Sequence, residues 1–172
     1  MMMQMLEAGG IPILTDEERQ ADADNPKGYY EYEPVKTMAA DATWLETAQG
    51  KALKVIHAHL SNLPVDRAYK VIFMRRNLEA VLDSQRVMLD RSGKAGSALE
   101  KERLNGVFAR QLRSVEASMA ASDHIDVLYL DFDDVVGAPR QAAERARDFL
   151  GRDLDLDRMV GAVDQTLRHH HE

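Results

Sequence analysis

Four short apolar runs, Ile11–Leu14, Leu53–Ile56, Tyr69–Phe73 and Val127–Leu130, alternate with stretches of helical period, and that alternation most narrows the folds open to this chain. Runs of four or five apolar residues have the length of strands buried on both faces. Between them, Leu78, Val81, Leu82, Gln85, Met88 and Leu89 share one helix face behind an Asn77 N-cap, and Leu99–Met119 carries a longer amphipathic pattern. A third helix over Gln141–Leu150 follows Pro139 and is expected to stop at Gly151, since glycine readily takes the left-handed conformation that closes a helix. Strands alternating with helices imply βαβ units, hence an α/β fold with a parallel sheet and helices on both faces.

With 172 residues, 45% of them apolar and 30% charged, the chain has the size and balance of a single folded domain. That domain is expected to span 1–167, with 168–172 as a flexible tail. The absence of cysteine removes any disulfide or thiolate metal site, and a cytoplasmic setting follows as the expectation. The apolar start, Met1 to Leu6, is broken by Gly9 and Gly10, far short of the ~20 residues of a membrane span. A net charge of −7 argues against broad nucleic-acid binding. Residues 66–113 nevertheless hold eleven Lys/Arg against six Asp/Glu, a local +5 that leaves −12 elsewhere. A basic middle inside an acidic chain points to a small anionic ligand.

The Met-rich opening reads as a buried helix, although α/β folds introduce a first helix with a strand and a glycine-rich turn. Linkers are expected at Asp22–Gly28 and Arg91–Ser97, the second either a surface connection or a flap over a site.

One constellation carries chemistry. After the run Val71-Ile72-Phe73-Met74 come Arg75 and Arg76, then the Asn77 cap, then Ser84 two turns into the helix. At about 100° per residue, Ser84 returns to within about 20° of the helix start. An arginine fork and a hydroxyl on one face suit a phosphate group, because planar guanidinium donors meet phosphate oxygens in pairs. The alternative is a basic helix start that makes surface ion pairs.

Arg76 followed by Ser84 at a strand-to-helix junction resembles the sulfotransferase signature that binds the ribose phosphate of PAPS (phosphoadenosine phosphosulfate). Asn25-Pro26-Lys27-Gly28-Tyr29-Tyr30-Glu31, then Gly50-Lys51-Ala52-Leu53-Lys54-Val55-Ile56, then Phe132-Asp133-Asp134-Val135 running to Pro139, and Phe149-Leu150-Gly151 are similar to bacterial members of that family, in order and across nearly the whole chain. The resemblance implies a P-loop-like three-layer sandwich. It also implies transfer of a sulfonate group from PAPS to a hydroxyl or amine on a small-molecule, carbohydrate or lipid acceptor, without metal, nucleic acid or membrane. Met1–Leu6 resembles the helix that follows the family's donor loop, of the type Pro-Arg-Ser-Gly-Thr-Ser. The first strand and that loop are therefore expected to be missing, through truncation or a late start codon, and unaided turnover is not expected. Possible homo-oligomers are left open.

Sulfonate transfer needs the acceptor proton removed. The run Ile56-His57-Ala58-His59-Leu60 is similar to the Ile-Lys-Thr-His-Leu of cytosolic sulfotransferases, which implies His59 as base and puts His57 in the lysine's place. Two ordinary polar residues at a strand exit are the alternative, and Lys54 reads as structural.

Two other functions remain open from sequence. One is a non-catalytic remnant that binds a nucleotide or a protein. The other is a metal-dependent nucleotide-sugar transferase using Asp131 and Asp133, whose hard oxygens suit Mg²⁺ or Mn²⁺, although acids there also serve to cap the next helical turn. His169-His170-His171 reads as a tail, and Gly93-Lys94-Ala95-Gly96-Ser97 has the wrong order for a Walker loop. Trp44, Tyr29, Tyr30 and Tyr32 either line an acceptor pocket or pack in the core.

Overall fold

The computed structural model describes residues 1–16, 28–76 and 98–164, with backbone alone over 98–105. Helix α1 spans Met2–Ala8, strand β1 Tyr69–Arg75, helix α2 Ala98–Ala120 and strand β2 Ile125–Asp131. Helices α3 (Phe132–Gly137), α4 (Pro139–Leu150) and α5 (Leu156–Gly161) follow. Three 3-10 helices, Glu33–Thr37, Thr43–Ala48 and His57–Asn62, precede β1.

β1 and β2 pair in parallel from Tyr69↔Ile125 to Arg75↔Asp131. Side chains alternate across the pleat, so the two strands feed two apolar clusters. Ile72, Met74, Leu128 and Leu130 pack with α1, α4 and α5, whereas Val71, Phe73, Val127 and Tyr129 pack with α2 and the 3-10 helices. Among the described residues the structure is thus mixed helix and strand around a small, open, two-stranded parallel sheet, and it holds no helix long and apolar enough to cross a membrane. The expected strands at Ile11–Leu14 and Leu53–Ile56 reduce to one parallel bridge, Ile13↔Ala52.

The helix ends follow the sequence. α1 turns Met and Leu inward, with Met5 fully buried, and such side chains, not branched at Cβ, lose little rotamer freedom in a helix. It closes with Ile11 N donating to Leu6 O at 2.9 Å and Gly10 N to Glu7 O at 3.0 Å, around Gly10 at φ 98°. This paired closure needs a left-handed residue at Gly10. α4 starts at Pro139, two residues before the expected Gln141, and is closed after Leu150 by Gly151, as expected. Its buried face is Ala142, Ala143 and Ala146, small residues that let the helix lie close to its neighbours. α5 is capped by the Asp155 carboxylate, which accepts from Arg158 N at 3.0 Å.

One carbonyl on the outer edge of β2 is met by a side chain. Tyr69 N donates to His124 O at 2.8 Å, which sets the phase of the ladder and turns the Tyr129 carbonyl outward. Arg145 of α4 donates to that carbonyl at 3.0 Å. β1 has no such cover among the described residues.

Candidate functional site: a cleft along β1

A cleft of about 1990 Å³ runs along the uncovered edge of β1. β1 itself and the segment 50–55 both line it. α1 contributes Met2 and Leu6, and α2 contributes Phe108 and Leu112. Parallel strands carry their ligands beyond their carboxyl ends. At that end the lining includes Arg75, Arg76, Arg113, Glu116, Asp131 and Asp133, while Lys51, Lys54, Asp66, Arg67 and Lys70 line it elsewhere.

The two arginines after β1 behave differently. Arg75 donates from Nε to Glu116 Oε1 at 3.0 Å and lies 4.0 Å over the Tyr129 ring. Its charge is already matched. Arg76 is exposed, and its guanidinium stands 4.6 Å over the Phe132 ring. Among the described residues it has no carboxylate partner. A stacked guanidinium keeps its in-plane donors while the ring holds its orientation. Ser84, the second half of the expected phosphate grip, lies outside the described residues, as do His169-His170-His171 and the two linkers over most or all of their length.

The histidines divide in an unforeseen way. Residues 57–62 form a 3-10 helix rather than a strand exit, and at about three residues per turn two positions apart point well away from each other. His57 lines the cleft and His59 is not among its lining residues. The His57 ring sits edge-on to Phe108 at 4.8 Å, and its Nε2 is buried without a hydrogen-bond partner among the described residues. Sequence treated both residues as if the strand continued, and nothing in the run Ile56–Leu60 signals the tighter helix.

Lys54 lines the cleft, with Nζ donating to Tyr29 O at 2.8 Å and lying 3.7 Å from Glu31. Of the four aromatics considered from sequence, Tyr29 and Tyr30 line the cleft. Trp44 and Tyr32 stack edge-on at 5.2 Å outside that lining. Tyr30 alone among described non-glycine residues has a positive φ, 54°. Its hydroxyl donates to Glu7 Oε2 at 2.6 Å, and burial together with the Glu7 carboxylate pushes its pKa up to about 12. This contact fastens the segment before the cleft wall to α1. Asp131 and Asp133 both reach the cleft, but no group of three or more potential ligands gathers there or elsewhere among the described residues. Asp131 occupies the N-cap position of α3.

Compared with protein-family models, curated proteins and solved structures, the chain matches none.

Proposed function

We propose that the polar end of this cleft binds the phosphorylated ribose of a nucleotide, and that the chain is a sulfotransferase-like protein whose donor is PAPS. The observation that carries this reading is Arg76, exposed at the carboxyl end of a parallel strand, oriented by Phe132 and without a carboxylate partner among the described residues. An arginine so held meets a phosphate without first giving up an ion pair. Ser84 is its proposed partner on that phosphate. The nucleotide would supply an activated sulfonate group for transfer to a hydroxyl or amine acceptor. Arg76 and Ser84 hold and orient it and take no part in moving protons. In this reading the sheet belongs to a P-loop-like three-layer sandwich in a cytoplasmic protein, a view supported by helices that pack against both faces of β1 and β2.

A second reading, binding without catalysis, draws support from the histidines. His57 reaches the cleft with Nε2 shielded, and His59 does not line it. A general base must come within about 2.6–3.2 Å of the proton it takes. His59 as base therefore stands as a proposal that requires the acceptor to approach from outside the cleft lining.

Calorimetric titration of adenosine 3′,5′-bisphosphate without metal tests the nucleotide site. Binding that weakens about tenfold or more in Arg76→Ala and in Ser84→Ala supports it, given ~1.5–3 kcal/mol for a charge-assisted bond. Equal binding in both variants would sink it. A requirement for Mg²⁺ or Mn²⁺ would favour the sugar-nucleotide alternative at Asp131 and Asp133.

A further inference from the structure

Of the eight described Lys and Arg that line the cleft, only Lys51 and Arg113 have side chains with no hydrogen-bond, ion-pair or ring partner among the described residues. Arg113 is exposed and belongs to a helix face. α2 presents Phe108, Ala109, Leu112, Arg113 and Glu116 to the cleft, a stripe at helical spacing. α2 leads into the start of β2, so its earlier residues lie nearer the carboxyl ends of the strands. Glu116 is level with Arg75, the last residue of β1, and Arg113 stands about 4.5 Å beyond it at 1.5 Å per residue.

The isolation of Arg113 has a cause. Glu116 is three residues on, the spacing at which a helix offers an ion pair. Its Oε1, however, accepts from Arg75 Nε at 3.0 Å and lies 3.0 Å from Arg75 Nη2. Arg75 thus takes the acid that would otherwise answer Arg113. Asp131, Asp133 and Asp134 also line the cleft, and none of them makes an ion pair with Arg113. Beside the free guanidinium the helix is apolar. Leu112 packs in the cluster around Phe73, and the Phe108 ring is braced edge-on by His57 at 4.8 Å. Arg76 is no second hand on the same group. It follows Arg75 in the chain and is turned from α2 onto Phe132.

We propose that the α2 side of the cleft binds a small monocarboxylic acid with an apolar body, its carboxylate on Arg113 and its body against Phe108 and Leu112. Charge selects this class. Arg75 and Glu116 cancel, so Arg113 presents one positive charge, which matches one negative group. The planar guanidinium can donate to both oxygens of a carboxylate at once. Contact of the ligand's body with Phe108 and Leu112 removes apolar surface from water on both partners. Arg75 is a positioning residue in this site: it touches no ligand and keeps Glu116 away from Arg113.

The site does not rest on nucleotide binding, and its test reads different residues. 3-Phenylpropanoate and its uncharged amide are titrated into the full chain, and the backbone amides of 108–113 are followed by NMR. The acid is expected to bind saturably and the amide about tenfold more weakly, the effect of one charge-assisted bond. Arg113→Ala should bring the acid down to the affinity of the amide and leave the amide unchanged, and Arg113→Lys should recover part of the loss. Arg75→Ala should also weaken the acid, because Glu116 is released to pair with Arg113, and Arg75→Ala/Glu116→Gln should restore it. Arg76→Ala is expected to leave the acid unaffected even where it abolishes binding of adenosine 3′,5′-bisphosphate. The proposal fails if acid and amide bind alike, if the acid shows no saturable binding, or if Arg113→Ala leaves the acid's affinity unaltered. A loss of adenosine 3′,5′-bisphosphate binding in Arg113→Ala as large as in Arg76→Ala would place Arg113 on the nucleotide and overturn it as well.

Discussion

Gly9 and Met159 pack so closely that a Cβ added at Gly9 would lie 2.7 Å from Met159 Cγ and 2.9 Å from its Sδ. The glycine ends α1, Met159 is the fully buried residue of α5, and Asp155 N reaches back to Gly9 O at 3.2 Å. α1 and α5 therefore meet backbone to side chain. Gly9→Ala is expected to lower stability by about 1–3 kcal/mol, the usual cost of overpacking, despite alanine's better helix propensity. A denaturant midpoint that rises or stays fixed would refute this close approach.

Met5 tests the core from the other direction. It is fully buried in the cluster that joins α1, β2, α4 and α5. Met5→Ala is expected to cost about 2–5 kcal/mol, a large part of the ~5–15 kcal/mol that holds a domain together. Chemical unfolding by circular dichroism measures it. A loss under about 1 kcal/mol would mean that α1 is not seated as described.

The Tyr30–Glu7 contact carries a pH dependence. The folded pKa of Tyr30, about 12, lies above the ordinary value of 10.0. Its contribution to stability is thus full below about pH 10 and is lost as pH rises from there through 12. Tyr30→Phe is expected to flatten the alkaline limb of the stability curve and to remove the last phenol seen in an ultraviolet titration. Glu7→Gln should bring that phenol back toward its ordinary range. If Tyr30 titrates with the exposed tyrosines in the parent chain, the contact does not form in solution.

Arg145 guards the outer edge of β2 through the Tyr129 carbonyl. Arg145→Ala is expected to cost about 1 kcal/mol, the net worth of such a bond, and to speed amide exchange along the outer edge of β2. Arg145→Lys should recover part of the loss, because one ammonium donor still reaches a carbonyl. Exchange unchanged at Ile125, Val127 and Tyr129 would argue against an edge role.

How much of this was legible beforehand depended on whether neighbours in sequence were also neighbours in cause. β1, β2 and α4 follow from runs of apolar, β-branched or aromatic residues and from Pro139 and Gly151, which act locally. The runs at Ile11–Leu14 and Leu53–Ile56 carry a similar local signal yet yield a single bridge. Pro12 has no amide to give, so the pairing of the two runs does not extend past that bridge on its side. The site divides likewise. Arg76 stands at the strand end foreseen for it, whereas the ring that orients it, Phe132, comes from the end of β2 and has no sequence signature tying it to Arg76. The separation of His57 from His59 turned on a 3-10 helix that propensity does not announce.

The pairing of Tyr69 with Ile125 also sets a clock. Parallel strands so far apart in sequence close a long loop before any ladder contact repays it, which slows folding. During synthesis at ~5–20 residues per second, β2 leaves the ribosome roughly 3–11 s after β1. Throughout that interval β1 has neither edge paired. The nascent chain is then most exposed to chaperones and to misassociation, and slowing or speeding translation between codons 76 and 124 would change its yield more than the same change elsewhere.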